Sequence, residues 1–375
     1  MEFIDLKAQY RALKPEIDAN IQAVLDAGQF IGGPYVKELE RQVSEYVGRK
    51  HCITCGNGTD ALQATYMALE VGEGDAVFCP DCTFISTVEP AYMLGATPVF
   101  CDVSMDSYNL DPESLERQIQ AVLAEGKLKP RVVAAVDFLG NPCDYDAIGA
   151  ICGKYGLILL EDAAQSMGAS YKGKMCCSFG TVSTTSFFPA KTLGCYGDGG
   201  AIFTDDDTLA DLLRSICVHG KGPGGKYDNI RVGINSRLDN LQAGILLPKL
   251  KALGAYEIRS REQIARRYSA AFAGKFVLPP VPADGQHSWY QYTLLAEDTA
   301  HRDRMVSHLK EAGIPTNLYY PTPMHALPVF QSLSRYAESF PHTTAYCSRT
   351  ISLPMHPYLD VAAQQKILDA VLEVL

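Results

Sequence analysis

The sequence lacks the marks of several large protein classes. No apolar run approaches the roughly 18 residues that a membrane-spanning helix needs. Residues 1–7 show no basic segment followed by an apolar one, so no secretory signal peptide is expected. Lysine and arginine are scattered and the formal net charge is −10, which disfavours nucleic acid or an anionic membrane as the main partner. We therefore expect a soluble, cytoplasmic protein.

Metal-binding and common hydrolase motifs are also poorly represented. Cys52 and Cys55, like Cys79 and Cys82, have the C-x-x-C spacing of a zinc ribbon, but each pair lies at a strand end without a glycine-bearing knuckle. Residues three apart on a strand point to opposite faces, so no metal site is predicted. Most of the twelve cysteines are better interpreted as reduced core residues. No G-x-S-x-G, H-E-x-x-H or kinase motif is found.

What the sequence does contain is a repeating strand–helix pattern over the first two thirds of its 375 residues. A strand is predicted over residues 97–101 and helices over 85–94 and 145–155. The apolar strands predict an α/β fold in which helices cover both faces of a mainly parallel sheet. A long helical stretch over residues 238–273, with interruptions at Pro248 and Gly254, marks the boundary. We predict a large domain, residues 1–245, and a smaller α+β domain, residues 246–375.

One lysine stands out because of its surroundings. Lys191 follows the apolar residues Phe187 and Phe188 and precedes a glycine-rich return over residues 194–203. A lysine in such a turn can be partly desolvated, and desolvation favours the neutral amine that attacks carbonyl groups. This pattern predicts a lysine that forms a Schiff base.

A carboxylate lies about thirty residues before that lysine. Asp162 ends an apolar strand, and ligands of open parallel sheets bind at the carboxyl ends of strands. There it would keep a pyridine nitrogen protonated. A Schiff-base lysine with such an acidic partner is what pyridoxal phosphate chemistry requires. The alternative is a capping aspartate that opens a helix over residues 163–167.

Other candidate cofactor contacts lie on predicted loops. Gly58 and Thr59 link a strand to a helix, where backbone amides and a hydroxyl can hold a phosphate. The alternative is a plain glycine turn with Thr59 or Asp60 as the N-cap. Gln165 is a candidate for a hydrogen bond to the ring oxygen of the cofactor. Phe84 could stack on the ring, with core packing as the alternative.

Four segments in order resemble the DegT/DnrJ/StrS family of nucleotide-sugar aminotransferases, and the resemblance runs nearly end to end. The segments are residues 57–62 (NGTDAL), 161–166 (EDAAQS), 186–191 (SFFPAK) and 232–237 (VGINSR). The resemblance implies the fold type I architecture of pyridoxal 5′-phosphate enzymes. It also implies that the cofactor becomes pyridoxamine phosphate before the second half-reaction.

The resemblance implies roles for the matching residues. Lys191 would carry the Schiff base and Asp162 would pair with the ring nitrogen. The phosphate would be held by Thr59, the Asp60 amide and Ser186.

Two further segments are implied to act through the partner subunit or at the sugar. In this family the partner completes the phosphate site through the asparagine that matches Asn235, so a homodimer with shared active sites is implied. Arg237 is a candidate for binding a substrate carboxylate or diphosphate, with a structural salt bridge as the alternative. Tyr319 and Tyr320 lie in the segment that borders the sugar, where relatives often have His-Tyr-Pro.

The implied reaction transfers an amino group from L-glutamate, which leaves as 2-oxoglutarate, to a ketosugar nucleotide. The nearest resemblance is to enzymes that aminate C3 of UDP-2-acetamido-2-deoxy-3-oxo-glucuronate, in the synthesis of sugars for bacterial surface polysaccharides such as O-antigen. One alternative is amination at C4 of a UDP- or dTDP-linked 4-keto-6-deoxy sugar. A related sugar dehydratase would carry histidine in place of Lys191, and a non-enzymatic regulator would not use the cofactor.

Overall fold

The structure is a computed structural model that describes residues 1–225, 227–336 and 339–374. The strands in these ranges are β1 (His51–Cys55), β2 (Asp75–Pro80), β3 (Thr97–Cys101), β4 (Lys129–Val136), β5 (Ile158–Asp162), β6 (Ser170–Tyr171), β7 (Lys174–Met175), β8 (Val182–Ser186), β9 (Gly200–Thr204), β10 (Gly285–Gln286), β11 (Tyr292–Leu295) and β12 (Thr350–Leu353).

Helices alternate with these strands as far as β5 and dominate the C-terminal part. They are α1 (Leu6–Ala27), α2 (Pro34–Val47), α3 (Gly58–Ala68), α4 (Glu89–Met93), α5 (Pro112–Glu125), α6 (Tyr145–Tyr155), α7 (Asp207–Ile216), α8 (Asn240–Ala252), α9 (Ile258–Phe272), α10 (Thr299–Glu311), α11 (Pro341–Arg349) and α12 (Val361–Leu372).

The main sheet has the strand order β1-β9-β8-β5-β4-β2-β3. From β3 to β8 the neighbours run parallel, whereas β9 is antiparallel to both β8 and β1. Alternate residues of β2 pack into different cores: Val77 joins the residues of α3, and Phe78 joins those of α5 and α6. Helices therefore cover both faces of the sheet, and the predicted α/β class with a mainly parallel sheet is confirmed.

Local capping explains which helix boundaries the sequence predicts well. Helix α6 spans the predicted residues 145–155 because the Asp144 side chain accepts from the Ala147 amide and Gly156 closes the helix in a left-handed conformation.

The prediction of one helix over 85–94 is wrong. Val88 has φ −126° and Pro90 lacks a donor, so a 3₁₀ turn (Ile85–Thr87) and the short α4 replace it.

The predicted long helical stretch becomes two α-helices joined by a π-helical segment, Leu253–Glu257, which contains Gly254. Pro248 lies inside α8 and does not end it. Beyond this stretch, β11 and β12 pair antiparallel, and a separate apolar core packs them against α9, α10 and α12.

The cysteines contribute to these cores. All twelve are buried, and none forms a disulfide within the described residues. Cys52 and Cys55 belong to clusters on opposite sides of β1, as expected for residues three apart on a strand. Their interpretation as core residues is confirmed. Within the described ranges, no helix combines the length and the apolar character needed to cross a membrane.

Candidate active site

A cavity of about 700 Å³ opens at the carboxyl ends of the parallel strands. Val136, Asp162 and Ser186, the last residues of β4, β5 and β8, all line it. Parallel strands that end at one edge leave such a crevice between the loops that follow them. The volume is in the range of small-molecule sites, roughly 300–1,000 Å³.

The turn that carries Lys191 is closed by backbone contacts. The Lys191 amide donates to the Phe188 carbonyl at 2.9 Å, and the Cys195 amide donates to the Phe187 carbonyl at 2.8 Å. A Cβ on Gly194 would lie 2.4 Å from the Pro189 carbonyl oxygen, so only glycine allows the chain to return this closely. The turn thus holds Lys191 at the cavity wall.

The amine of Lys191 is desolvated. Burial lowers the pKa of Lys191 to about 8, and the nearby Asp162 carboxylate opposes this shift. Its Nζ atom lies 4.8 Å from the ring centroid of Tyr290, within cation–π distance. A substantial fraction of the amine is therefore neutral near pH 8, as a nucleophile requires.

Asp162 lies buried at the floor of the same cavity. Burial raises the pKa of this carboxyl group, while hydrogen bonds from the Thr87 hydroxyl (2.8 Å) and the Ala164 amide (3.2 Å) and the charge of Lys191 oppose the rise. The residues that follow form turns, so the alternative of a capping aspartate for a helix over 163–167 is wrong. A buried carboxylate of this kind fits a cationic partner such as a pyridinium N–H.

The start of α3 forms a polar cradle at another wall. The hydroxyls of Thr59 and Ser86 lie 2.8 Å apart, and Ser186 also lines the cavity. A Cβ on Gly58 would lie 2.8 Å from Cβ of Ser186, so glycine is needed for this approach. Because the first turn of a helix leaves its amides without intrahelical acceptors, this cradle suits a phosphate.

The structure corrects one predicted donor. The Asp60 amide already donates to the Asn57 side chain at 2.8 Å, so Asn57 is the N-cap of α3 and not Thr59 or Asp60. In the described part of the chain, the amides of Gly58 and Thr59 remain available. The Asp60 carboxylate accepts from the Ser236 hydroxyl at 2.6 Å.

Aromatic side chains from both parts of the chain form a further wall of the cavity. Phe84, Tyr319 and Tyr320 all line the cavity. Phe84 is 53% exposed, so the alternative of core packing is wrong. Gln165 is buried at the same wall, where its oxygen accepts from the Leu139 amide (2.7 Å) and its nitrogen donates to the Tyr320 hydroxyl (3.3 Å).

Two predicted site residues do not reach this cavity. Asn235 and Arg237 are exposed and bond to each other, with the Arg237 guanidinium donating to the Asn235 side chain at 2.5 Å. Ser236 between them is buried and bonded to Asp60 at the base of the cradle. The segment therefore lies beside the site, and its two exposed side chains do not line the cavity.

Sequence reasoning missed Tyr290, Thr87 and Ser86. Tyr290 is buried under the Lys191 amine, and Thr87 holds the Asp162 carboxylate. Their neighbours in sequence carry no glycine pattern or charge that marks them. Only tertiary structure brings them to the cavity.

The cavity thus combines a desolvated lysine amine, a buried carboxylate and a helix start with hydroxyls and free amides. This donor set fits pyridoxal 5′-phosphate, which needs an amine for its carbonyl, an anion for its ring nitrogen and donors for its phosphate. Together with the mainly parallel sheet, the site defines a pyridoxal phosphate-dependent transferase of fold type I.

Comparison with known proteins gives the family. The DegT/DnrJ/EryC1/StrS aminotransferase family matches residues 11–372, and the chain belongs to it. A relative in Pseudomonas aeruginosa, UDP-2-acetamido-2-deoxy-3-oxo-D-glucuronate aminotransferase, is 46% identical over 97% of each chain.

Comparison with solved structures supports the same family. A family aminotransferase from Brucella abortus superposes with TM-score 0.95 at 45% identity, covering 100% of this chain and 99% of the other. A Bacillus subtilis relative with bound pyridoxamine phosphate gives 0.88 at 27% identity, with coverages of 100% and 85%. The protein is thus a pyridoxal phosphate-dependent aminotransferase, and the dehydratase and regulator alternatives are set aside.

Proposed function

We propose that this enzyme transfers the amino group of L-glutamate to C3 of UDP-2-acetamido-2-deoxy-3-oxo-glucuronate, in the synthesis of a sugar for a bacterial surface polysaccharide. The similarity to the Pseudomonas aeruginosa enzyme named for this ketosugar, 46% identity over nearly the whole chain, carries the proposal. The position of Lys191 at the cavity wall supports amino-group transfer as the reaction.

Lys191 is the proposed catalytic residue in both half-reactions. When bound, pyridoxal phosphate supplies the carbonyl that takes up the amine and a ring that accepts electrons. The Nζ atom of Lys191 would take the proton from the α-carbon of glutamate and pass it on to the cofactor. Water would then supply the keto oxygen of 2-oxoglutarate, which leaves while the amino group stays behind. In the second half-reaction Lys191 Nζ would return a proton from the cofactor to C3 of the sugar, and the keto oxygen of the sugar would leave as water. The desolvated amine suits this role because a pKa of about 8 lets it both take up and release a proton near neutral pH.

The remaining residues would bind and orient. Asp162 would accept the ring N–H, held in place by Thr87. The cradle of Gly58, Thr59 and Ser186 would hold the phosphate. Gln165 has one N–H left beyond its bond to Tyr320, and this N–H would reach the ring oxygen. Phe84, exposed at the cavity, would stack on the ring.

Tyr319, Tyr320 and the partner's arginine would bind the sugar nucleotide. Burial raises the pKa of Tyr319 and of Tyr320, so both phenols remain hydrogen-bond donors. Tyr319 occupies the position at which relatives often carry histidine, and its O–H would donate to the uronate. Arg237 would bind the carboxylate or diphosphate from across a dimer.

A homodimer with shared sites follows from this assignment. Asn235 and Arg237 are exposed in one chain and flanked by the exposed apolar residues Ile230 and Val232. A two-fold interface would cover this face and bring Asn235 to the partner's cradle. We also retain the division into domains 1–245 and 246–375. A cytoplasmic location agrees with twelve cysteines that form no disulfide in the described ranges.

Complementation tests the shared site. Lys191→Ala and Asn235→Ala should each be inactive alone. Mixing them with subunit exchange should restore up to roughly a quarter of wild-type activity, since half of the dimers are hybrids with one intact site each. Mixing Lys191→Ala with Asp162→Asn is the matched control and should restore none, because both changes lie in one subunit's half of the site. Equal recovery in both mixtures would contradict shared sites.

The sugar is tested by substrate comparison. The enzyme loaded with pyridoxal phosphate and treated with glutamate is offered UDP-linked 3-ketosugars and UDP- or dTDP-linked 4-ketosugars. We expect amination of the 3-oxo-glucuronate at the highest kcat/KM. A preference for a 4-keto-6-deoxy sugar would instead establish the C4 alternative.

A further inference from the structure

Two buried carboxylates lie at the ends of neighbouring strands, beside the cavity but outside its lining. Asp81 follows β2 and Asp102 follows β3, and both are at least 96% buried. The amide of Asp81 donates to the Cys101 carbonyl at 2.8 Å, which locks the two strand ends together. Buried carboxylates are stable only with hydrogen-bond donors, and both take donors from the C-terminal part of the chain.

Asp81 binds the segment that follows the two sugar-side tyrosines. Its Oδ1 accepts from the His325 amide at 2.8 Å, and its Oδ2 lies 2.6 Å from His325 Nδ1. The Asp81 carbonyl also accepts from the Met324 amide at 2.8 Å. Burial raises the pKa of Asp81 to about 6, with Asp102 adding to the rise and His325 opposing it, so the carboxylate is largely ionised at neutral pH.

Asp81 also begins the loop that borders the cofactor side of the cavity. Phe84 and Ser86 on this loop line the cavity. The hydroxyls of Thr83 and Thr87 lie 2.8 Å apart, and Thr87 in turn donates to Asp162. One carboxylate therefore joins the cofactor-side loop to the chain just beyond Tyr320.

Asp102 reaches the same tyrosines from the other side. Its Oδ1 accepts from the amide (2.8 Å) and the hydroxyl (2.7 Å) of Thr343, in the first turn of α11. One turn further along α11, the Tyr346 hydroxyl donates to the Tyr319 carbonyl at 2.5 Å. The backbone around Tyr319 and Tyr320 is thus held from both sides, by the Asp81–His325 pair and by Tyr346.

We propose that Asp81–His325 and Asp102–Thr343–Tyr346 act together as a clasp that positions Tyr319 and Tyr320 for the sugar nucleotide. This proposal depends on the proposed function only for the identity of the sugar that the tyrosines bind. Its members are positioning residues, since none lines the cavity. Loosening the clasp should therefore weaken sugar binding and leave cofactor binding and the reaction with glutamate largely intact.

Two variants loosen the clasp at different points: His325→Ala removes the imidazole from Asp81, and Tyr346→Phe removes only the hydroxyl that holds Tyr319. For each, we expect the KM for the ketosugar to rise about tenfold or more, with the rate of the glutamate half-reaction within about twofold of wild type. His325→Gln, which can still donate to Asp81, should recover most of the lost affinity.

The matched control is another histidine–aspartate pair. His51 Nε2 and Asp207 Oδ1 also lie 2.6 Å apart, but Asp207 is exposed and the pair lies at the opposite end of β1 from the cradle. His51→Gln should change neither half-reaction. A variant that unfolds is recognised by circular dichroism, and Tyr346→Phe keeps the shape of the buried ring.

Backbone hydrogen exchange separates failure of the clasp from failure of the proposed function. In the cofactor-loaded enzyme without sugar, His325→Ala should speed exchange of the Met324 and His325 amides, and Tyr346→Phe should speed exchange in a peptide spanning residues 317–321. If wild type does not aminate the 3-ketosugar, the proposed function fails while the exchange result still tests the clasp. Unchanged exchange in both variants, or a ketosugar KM within about twofold of wild type in both, overturns the clasp.

Discussion

The amine of Lys191 lies 4.8 Å from the ring centroid of Tyr290, in a cavity where burial lowers the pKa of the lysine to about 8. The aromatic ring offers weak attraction to the ammonium form but cannot replace its lost hydration. The negative charge of Asp162 opposes this shift and raises the pKa of Lys191 part of the way back. Burial beside Tyr290 therefore leaves the Lys191 ammonium group easy to deprotonate.

This environment predicts how attachment of the cofactor depends on pH. Only the neutral amine attacks the carbonyl, so the rate at which the cofactor-free protein binds pyridoxal phosphate covalently should rise about tenfold per pH unit below the pKa. The rate should level off above about pH 8. Stopped-flow absorbance between pH 6 and 10 measures this profile. Asp162→Asn, which removes the charge that raises the lysine pKa, should move the midpoint to lower pH; a midpoint near 10 in wild type would contradict the desolvated amine.

Replacement of the lysine tests its catalytic role. Lys191→Ala should lower turnover by at least ~10³-fold, because one group serves as nucleophile and as acid and base. The cofactor should still bind non-covalently through the cradle and Asp162. Steady-state kinetics and dialysis with absorbance measure both effects, and Lys174→Ala, at an exposed position, is the control. Turnover comparable to wild type in Lys191→Ala would refute the assignment.

Asp162→Asn should separate activity from stability. Asparagine cannot supply the negative charge for the ring nitrogen, so kcat should fall roughly 100-fold or more. The cofactor-free variant should nevertheless be at least as stable as wild type near pH 7. The folded protein raises the pKa of this carboxyl group, so its ionised form opposes folding once the pH exceeds the unfolded value. Thermal unfolding with and without cofactor is the measurement, and a less stable cofactor-free variant would contradict this reasoning.

Two glycines, one crowded and one with open space around it, allow a controlled comparison of alanine substitutions. A Cβ on Gly200 would lie 2.5 Å from the Asn57 carbonyl oxygen, so Gly200→Ala should cost about 1–3 kcal/mol in the free energy of unfolding and weaken cofactor binding. Gly153 in α6 has open space around it, so Gly153→Ala should add up to about 1 kcal/mol. Urea unfolding compares the two. Equal effects would show that contact with the cradle does not restrict residue 200.

The thiols should be inert in the folded enzyme. All twelve cysteines are buried, and burial raises the pKa of thiols such as Cys55 and Cys79 well above the usual value. A disulfide reagent should therefore react slowly with the native protein and with all twelve thiols in urea. Rapid modification of one or more native thiols would show that a cysteine is exposed.

Much of the fold could be predicted from the sequence because its signals are local. Helix α6 has its cap residues in sequence, and β3 has the predicted bounds 97–101. The helix predicted over 85–94 was wrong because Val88 and Pro90 break it, and Thr87 at this break donates to Asp162. The tertiary hydrogen bond at this break could not be predicted from the local sequence.

The residues of the candidate site likewise fall into those that could be predicted from the sequence and those that could not. Lys191, Asp162 and Gly58 could be predicted because their chemistry needs a particular residue at a strand end or a turn. Tyr290 could not, since a tyrosine beside a strand looks like an ordinary core residue. The roles of Asn235 and Arg237 stay predictions, because their exposed side chains do not line the cavity of their own chain.

The most direct test of the central claim follows one nitrogen atom. The enzyme loaded with pyridoxal phosphate is given ¹⁵N-labelled L-glutamate and then UDP-2-acetamido-2-deoxy-3-oxo-glucuronate, and the product is examined by NMR. We predict that the cofactor absorbance shifts on addition of glutamate, that 2-oxoglutarate appears, and that ¹⁵N is bonded to C3 of the sugar. A sugar recovered without ¹⁵N, while the same enzyme labels C4 of a 4-keto-6-deoxy sugar nucleotide, would contradict the account.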